Sequence, residues 1–223
     1  HILMTYDLYP SFKQKIFRLV SPLFNLGFFG VYKSFGVKEF LFPKINQLIK
    51  TKSEKKFDEI LKKINTKGDI LNLYFDDIFV GDLIYDTYLT RNDSQTPTID
   101  HNTVDFKKFL IDFIKLFYFW QDYFERNKVS AILTTHGCYS MGIPVRIALK
   151  NDILSLEIKE NRLKRLSKKN IFYSCESEKY PAMFAKFSEE KKIKALKIAE
   201  ERLEARFGGS NEDIPYVTRS AFS

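Results

Sequence analysis

Apolar residues recur at alternating steps of four and three through residues 104–127, where Phe106, Leu110, Phe113, Phe117, Trp120 and Phe124 form a stripe that Phe109, Ile114 and Tyr118 broaden. This period predicts a buried-face helix about 36 Å long, at 1.5 Å of rise per residue. An aromatic stripe of this kind is a core feature rather than a stacking platform for bases. A second helical pattern occupies residues 44–64, with Ile45, Leu48, Ile49, Phe57, Ile60, Leu61 and Ile64 at spacings of three and four. The polar run 51–56 divides it, so the pattern predicts two helices, the second capped by Ser53 and carrying Asp58 and Glu59 toward its positive end. Gly68 closes that unit. A third helix is expected over 188–207, capped by Ser188, led by Glu189 and Glu190, and stopped by Gly208 and Gly209, with Ile193, Leu196, Leu203 and Phe207 on one face.

Short apolar runs supply the strands. Residues 69–75 place Leu71, Leu73 and Phe75 on one face, and further strands are expected at 129–135, 153–158 and 171–173. Between the second and third lie a loop at 136–142 and a helix at 143–150, whose Pro144 suits a first helical turn because its missing N–H costs nothing there. Strand, loop, helix and strand in about 30 residues form a βαβ unit with parallel strands. With the long helix and the 69–75 strand before it, this alternation predicts an α/β fold that is Rossmann-like, a mostly parallel sheet flanked by helices, with a helical N-terminal extension. The expected parts are a basic helical segment at 1–68 packing on the core, the α/β domain at 69–209, and a tail at 210–223.

Residues 1–43 follow no single period. Pro10, Pro22 and Pro43 and Gly27, Gly30 and Gly36 punctuate an aromatic-rich stretch that can hold only short helices. Lysines and arginines flank its apolar centre, so residues 12–38 are compatible with peripheral contact at a membrane surface, while a helical layer packing on the core or on another part of the protein is the favoured reading. Neither 16–32 nor 106–124 is free enough of charge and proline to span a bilayer, and the N-terminus lacks the pattern of a signal peptide.

Composition narrows the classes. With 44% apolar and 16% aromatic residues the chain is globular in character. Two cysteines, Cys138 and Cys175, make no disulfide framework and no CxxC pair, which points to a reducing, cytoplasmic setting. The net charge is +8, distributed as +7 over 1–70, −2 over 71–150 and +3 over 151–223. The positive charge thus lies at the N-terminus while the expected core is slightly acidic. No nucleic-acid recognition motif accompanies it, and abundant lysine, isoleucine, asparagine, phenylalanine and tyrosine is also what AT-rich codons produce.

Ligands in open α/β sheets bind beyond the carboxyl ends of the strands, which singles out two loops. In the first, Gly137 and Gly142 let backbone approach a ligand, Tyr139 and Ser140 offer polar groups, and His136 stands at the strand end, a position that suits a general base; a loop histidine without a role reads the same way. In the second, Gly81 and Asp82 mark a strand-to-helix transition with Asp82 as cap, and Tyr85, Asp86 and Arg91 are polar groups among apolar ones. These groups suit a sugar, and they equally suit a capped helix with a buried ion pair. GxGxxG, GxxxxGK[ST], HExxH and GxSxG are all absent, and His136, Cys138 and Cys175 match no metal-ligand spacing, so neither a metal nor a cofactor is expected.

The run Val80-Gly81-Asp82-Leu83-Ile84-Tyr85-Asp86-Thr87-Tyr88-Leu89, the helix with Tyr118-Phe119-Trp120-Gln121-Asp122-Tyr123-Phe124, and Ala131-Ile132-Leu133-Thr134-Thr135-His136 with Tyr139 and Gly142 resemble bacterial capsular or surface polysaccharide biosynthesis proteins. Those are similar to GT-B-type glycosyltransferases, two Rossmann-like halves with the active site in the cleft between them. The resemblance runs from about Tyr32 to Phe222, through Ala205-Arg206-Phe207-Gly208-Gly209 and Tyr216-Val217-Thr218-Arg219-Ser220-Ala221-Phe222. It implies an N-terminal, acceptor-side half, inactive alone, that takes a glycan or lipid-linked acceptor at the inner face of the membrane. A C-terminal half would hold the nucleotide-sugar donor without a bound metal. His136, Asp82 and Asp86 are then the expected catalytic groups, with Gly81, Tyr85, Arg91, Gly137, Tyr139, Ser140 and Gly142 binding substrate and nucleic acid not a partner. A non-catalytic glycan- or partner-binding scaffold of the same pathway is the alternative, followed by a basic nucleic-acid binder.

Overall fold

The computed structural model describes residues 39–91, 98–159, 162–171 and 180–210, together with Ile2–Met4 and positions 16, 32, 34, 36 and 37. The expected membrane-contacting stretch 12–38 and the tail from 211 onward therefore lie largely outside the described residues. No described helix is long and apolar enough to cross a membrane. Two compact units separate between Tyr173 and Ser174, within the span 69–209 expected to form one domain.

At the N-terminus, β1 (Ile2–Met4) pairs in parallel with β2 (Glu39–Leu41). The next element, α1 (Gln47–Leu61), is one helix, not two. Nothing in the polar run 51–56 breaks a helix: it contains neither glycine nor proline. Asn46 is the cap, accepting from the Ile49 amide at 2.8 Å. Ser53 is fully buried inside the helix and donates to the Ile49 carbonyl at 2.7 Å, so it is no cap. Ile49, Ile60 and Ile64 enter the same core as the long aromatic helix, while most of residues 1–38 lies outside the described residues.

The expected strand 69–75 is mostly replaced. Thr66 and Asp69 form a reciprocal capping box that starts α2 (Lys67–Leu71) and places Gly68 inside a helix instead of at its end. Only β3 (Tyr74–Phe75) remains extended, and it turns back antiparallel on β4 (Ile78–Phe79). The two turn residues, Asp76 and Asp77, have φ of 46° and 63°. Positive φ at both positions is what a two-residue hairpin needs to match strand twist, at a cost for residues other than glycine. Lys150 donates to the Asp76 carbonyl, and Lys52 and Lys56 approach its carboxylate at 3.7 and 3.9 Å.

After the hairpin come α3 (Gly81–Arg91) and α4 (Val104–Arg126). A Cβ at Gly81 would sit 2.2 Å from the Leu71 carbonyl oxygen, so only glycine lets α3 start against α2. Thr103 caps α4, and the predicted stripe is its buried face, with Phe106, Leu110 and Phe117 fully enclosed and Trp120 at 2% exposure. Phe75 meets Phe117 edge-on at 5.3 Å, and Tyr88 meets Phe106 at 5.1 Å, locking hairpin and α3 to the long helix.

The βαβ unit forms as expected. β5 (Ala131–Thr134) lies parallel to β6 (Leu154–Lys159), and α5 (Gly142–Lys150) connects them. The basic stretch after residue 159 adds an antiparallel strand, β7 (Arg162–Arg165), beside β6. The described sheet is thus three short strands in the order β5-β6-β7, partly parallel, with the hairpin β3–β4 separate from it. The chain is α/β and rich in helix, and the mostly parallel Rossmann-like sheet is not present among the described residues, because 69–75 spends its residues on a capped helix and a turn. Of the strand expected at 171–173, Ile171 belongs to no strand and the rest lies outside the described residues.

In the second unit, α6 (Tyr180–Ala185) precedes α7 (Glu189–Phe207). Helix α7 has the expected bounds, but the Ser188 hydroxyl makes no capping hydrogen bond, and Ile193, Leu196, Leu203 and Phe207 are exposed.

Two stability outcomes follow from this packing. Trp120→Ala empties a closed core position and costs about 3–5 kcal/mol, which lowers the melting midpoint by at least about 6 °C at roughly 2–4 °C per kcal/mol; a calorimetric scan within 2 °C of wild type, roughly the shift from 1 kcal/mol, refutes the core assignment. Asp77→Gly relieves a left-handed residue whose side chain is 98% exposed and raises stability by about 1 kcal/mol in urea melts.

Candidate functional site

Here β5 runs directly into residues 136–142, and Glu157 of β6 reaches that loop through the Gly137 amide. Thr134 closes the strand end, its hydroxyl donating to the His136 carbonyl at 3.0 Å and accepting from the His136 amide at 3.2 Å. His136 is exposed, with its Nδ1 3.2 Å from the Thr135 hydroxyl. The Gly137 amide donates to Glu157 Oε1 at 3.2 Å, and the Cys138 carbonyl accepts from the Gly142 amide at 3.1 Å. Residues Tyr139–Met141 form a single 3-10 turn in which Tyr139 has φ of 53°. A bulky residue held in that region is strain that the surroundings must impose, and such strain concentrates at binding sites.

Gly142 joins this loop to α3. A Cβ there would lie 2.4 Å from the Gly137 carbonyl oxygen and 2.8 Å from Leu83 Cδ2. The two loops singled out from sequence are therefore packed together, with 136–142 resting on the first turns of α3.

Asp82 is not a cap but a first-turn residue of α3, and both its oxygens are held by Arg146 of α5, each N–O distance being 2.5 Å. Arg146 is 4% exposed, donates also to the Phe79 carbonyl at 2.7 Å, and stacks its guanidinium on the Phe79 ring at 5.2 Å. Of the two readings of this segment, the buried ion pair describes Asp82. Asp86, one turn on, is exposed as a residue, yet partial burial of its carboxyl and then the charge of Asp82 raise its pKa, with Arg146 opposing. Tyr85 is buried beneath Lys67, whose ammonium lies 4.7 Å from its ring, and Arg91 at the far end of α3 lies over Phe109 at 5.6 Å. These two serve the core side of the helix. Gly81 contacts α2, while Tyr139 and Ser140 are half-buried in the loop turn.

Glu157 is the residue that sequence reasoning missed. It lies on β6 opposite Thr134, is 6% exposed, and has Oε1 on the Gly137 amide while the buried Oε2 has no hydrogen-bond partner among the described residues. Its signal in the sequence was the polar alternation Ser155, Glu157 within Leu154, Leu156, Ile158. The apolar set there looks like the inward face, but the fold buries Ser155 and Glu157 and leaves Leu154 and Ile158 exposed.

Burial pushes the Cys138 thiol pKa up, and the charges of Asp86, Glu157 and Asp82 push it further. A thiol shifted upward is a poor nucleophile at neutral pH, so it is a lining group here. Among the described residues no group of three His, Cys, Asp or Glu side chains is arranged to hold a metal ion. What the arrangement offers is hydrogen-bond acceptance and proton uptake by carboxylate.

Removing the buried cation isolates Asp82. Arg146→Met costs about 3–5 kcal/mol in a denaturant melt, and an Asp82→Asn/Arg146→Met double variant recovers part of the loss because the uncompensated charge is gone. Asp86 behaves oppositely. Its carboxyl titrates higher in the folded chain, so folding is favoured below its ordinary 3.8 and that advantage is lost as pH rises through the raised value. Asp86→Asn is therefore slightly more stable than wild type at neutral pH, and the difference disappears in melts below that pH.

No protein-family model, curated protein or solved structure matches this chain, so its site is read from its own chemistry.

Proposed function

We propose that the first unit is the acceptor-side domain of a glycosyltransferase of capsular or surface polysaccharide assembly, with β5–α5–β6 as its fragment of a Rossmann-like sheet. The observation that carries this reading is the buried Glu157 carboxylate, with one oxygen unpartnered at the carboxyl end of the parallel pair and under a glycine-bounded loop. Sugar transfer needs an acceptor hydroxyl oriented by an acceptor group and relieved of its proton as its oxygen attacks the anomeric carbon. The bond from that carbon to the donor phosphate breaks, and the nucleoside diphosphate leaves with the electron pair. Glu157 suits the orienting role. His136, whose Nδ1 is beside Thr135, would take the proton at Nε2. In this reading a nucleotide-sugar donor would be held by a second half of the kind the resemblance implies, and the domain alone is expected to bind acceptor without turnover.

Neutral hexoses and their short oligomers test the reading. In an amide NMR titration they shift residues 137–142 saturably at about millimolar affinity, and Gly142→Ala, which must displace the loop, weakens binding about tenfold or more. Salt-sensitive retention of the chain on DNA with no response to any sugar would overturn the proposal in favour of a nucleic-acid binder.

A further inference from the structure

We propose that the first unit carries a second binding site, for a phosphate monoester, in a cleft of about 400 Å³ at the amino end of β6. The site is independent of the sugar-binding reading. Ala131 pairs with Leu154 and Thr134 with Glu157, so the 136–142 loop follows the other end of the same parallel strands.

The cleft opens where α5 turns into β6 and β7 leaves it. The Leu166 amide donates to the Ser155 carbonyl at 2.9 Å, which fixes the end of β7 beside the start of β6. Residues 167–170 then make a tight turn: the Ser167 amide donates to the Asn170 carbonyl at 3.1 Å, and the Asn170 amide to the Ser167 carbonyl at 2.9 Å. Lys168 and Lys169 are the central residues of that turn, and with Arg165 they bring three cations to the lining against one carboxylate, Asp152. Lys168 is held by Asp152 Oδ1 at 2.7 Å. Arg165 and Lys169 have no acidic partner among the described residues, so the cleft keeps two positive charges that an anion would offset.

A phosphate monoester carries a charge of roughly −1.5 to −2 at neutral pH, which matches that surplus. Its oxygens accept from the Arg165 guanidinium, the Lys169 ammonium and the Ser167 hydroxyl. That hydroxyl oxygen accepts from the Asn170 amide at 3.2 Å, while its proton has no acceptor among the described residues. The organic part of the ligand follows from the rest of the lining. Leu149 and Leu166, 6% and 3% exposed, form an apolar wall with Leu154, and the volume is that of a small-molecule cleft. No aromatic side chain lines it, so a nucleobase finds nothing to stack on and an aliphatic ester is the better fit.

Butyl phosphate, inorganic phosphate and butanol, titrated into the full chain while the amides of residues 165–170 are followed by NMR, test the assignment. Butyl phosphate is expected to bind at about millimolar affinity and about threefold more tightly than inorganic phosphate, with no saturable shift from butanol. Arg165→Gln and Lys169→Gln together, at exposed positions, lower that affinity about tenfold. Asp152→Asn raises it about threefold by releasing Lys168, and asparagine tolerates the φ of 56° at that position. Vesicles of phosphatidylcholine with and without phosphatidic acid separate the two sources of the monoester: retention that needs phosphatidic acid and is lost in the double variant assigns a lipid headgroup, and its absence beside butyl phosphate binding assigns a free ester. Failure of both the soluble and the vesicle-borne monoester to bind, or binding that the double variant leaves unchanged, overturns the site. Retention of a single-stranded oligonucleotide with no response to either monoester overturns it in favour of a nucleic-acid surface. None of these outcomes bears on the sugar titrations, which follow residues 137–142.

Discussion

Helix α5 is enclosed on nearly every side, and that enclosure makes the Arg146–Asp82 pair the contact on which the first unit depends. Ile143 and Ile147 join the large aromatic core with α3 and α4, while Val145 and Leu149 join a smaller cluster with Leu166, Ile132 and Ile171 under the sheet. A helix that divides two cores has no solvent face for a charge. Arg146 must be neutralised inside, and a paired, multiply hydrogen-bonded guanidinium is the arrangement that limits the desolvation cost. Its partners come from different elements: Asp82 opens α3, and the Phe79 carbonyl ends the hairpin. One side chain thus sets the mutual position of hairpin, α3 and βαβ unit. The same pair fixes where Asp86 and the 136–142 loop can sit.

Long-period patterns were the legible part of the fold. The stripe of α4 and the parallel β5–α5–β6 unit follow from the apolar pattern along the chain, and α7 has the bounds expected of it although the Ser188 hydroxyl makes no capping hydrogen bond. What periodicity could not show was decided by shorter contacts. Thr66 and Asp69 satisfy each other's amides and pull residues 67–71 into a helix turn, although Leu71 and Leu73 read as strand. In α1 the polar run 51–56 looks like an interruption, but Ser53 returns its hydroxyl to the Ile49 carbonyl and stays buried. Both outcomes are local hydrogen-bond competitions, which hydrophobic patterning does not register.

The site was legible in its loops and not in its chemistry. Gly137 and Gly142 read as places where backbone approaches a ligand and Gly81 as a strand-to-helix transition, whereas the structure uses Gly81 and Gly142 for close packing against the Leu71 and Gly137 carbonyls. The roles within the loops shifted because burial reassigns charges. Asp82 lies where an arginine from 64 residues away is buried and is consumed by it. Glu157 shows the converse: a charged residue in an apolar strand reads as its solvent face until the strand's register sets it opposite Thr134 and under Gly137.

That reversal of β6 carries a consequence for the sheet as a whole. When α5 covers the face bearing Ser155 and Glu157, the leucines and isoleucine between them turn to the opposite face, where Leu133 and Leu163 are 60% and 62% exposed. Sheets with parallel strands are ordinarily covered on both sides. The arrangement trades one apolar face for a buried carboxylate. Hydrophobic burial alone would favour the opposite orientation, since placing Leu156 and Ile158 under α5 would remove more apolar surface from water than Ser155 and Glu157 do. The tight junctions of α5 with α3 and with the loop, through Arg146 and Gly142, determine which face of the sheet the helix meets. An acidic group is thereby held in a dry position at the end of the parallel pair, with one oxygen that has no hydrogen-bond partner among the described residues.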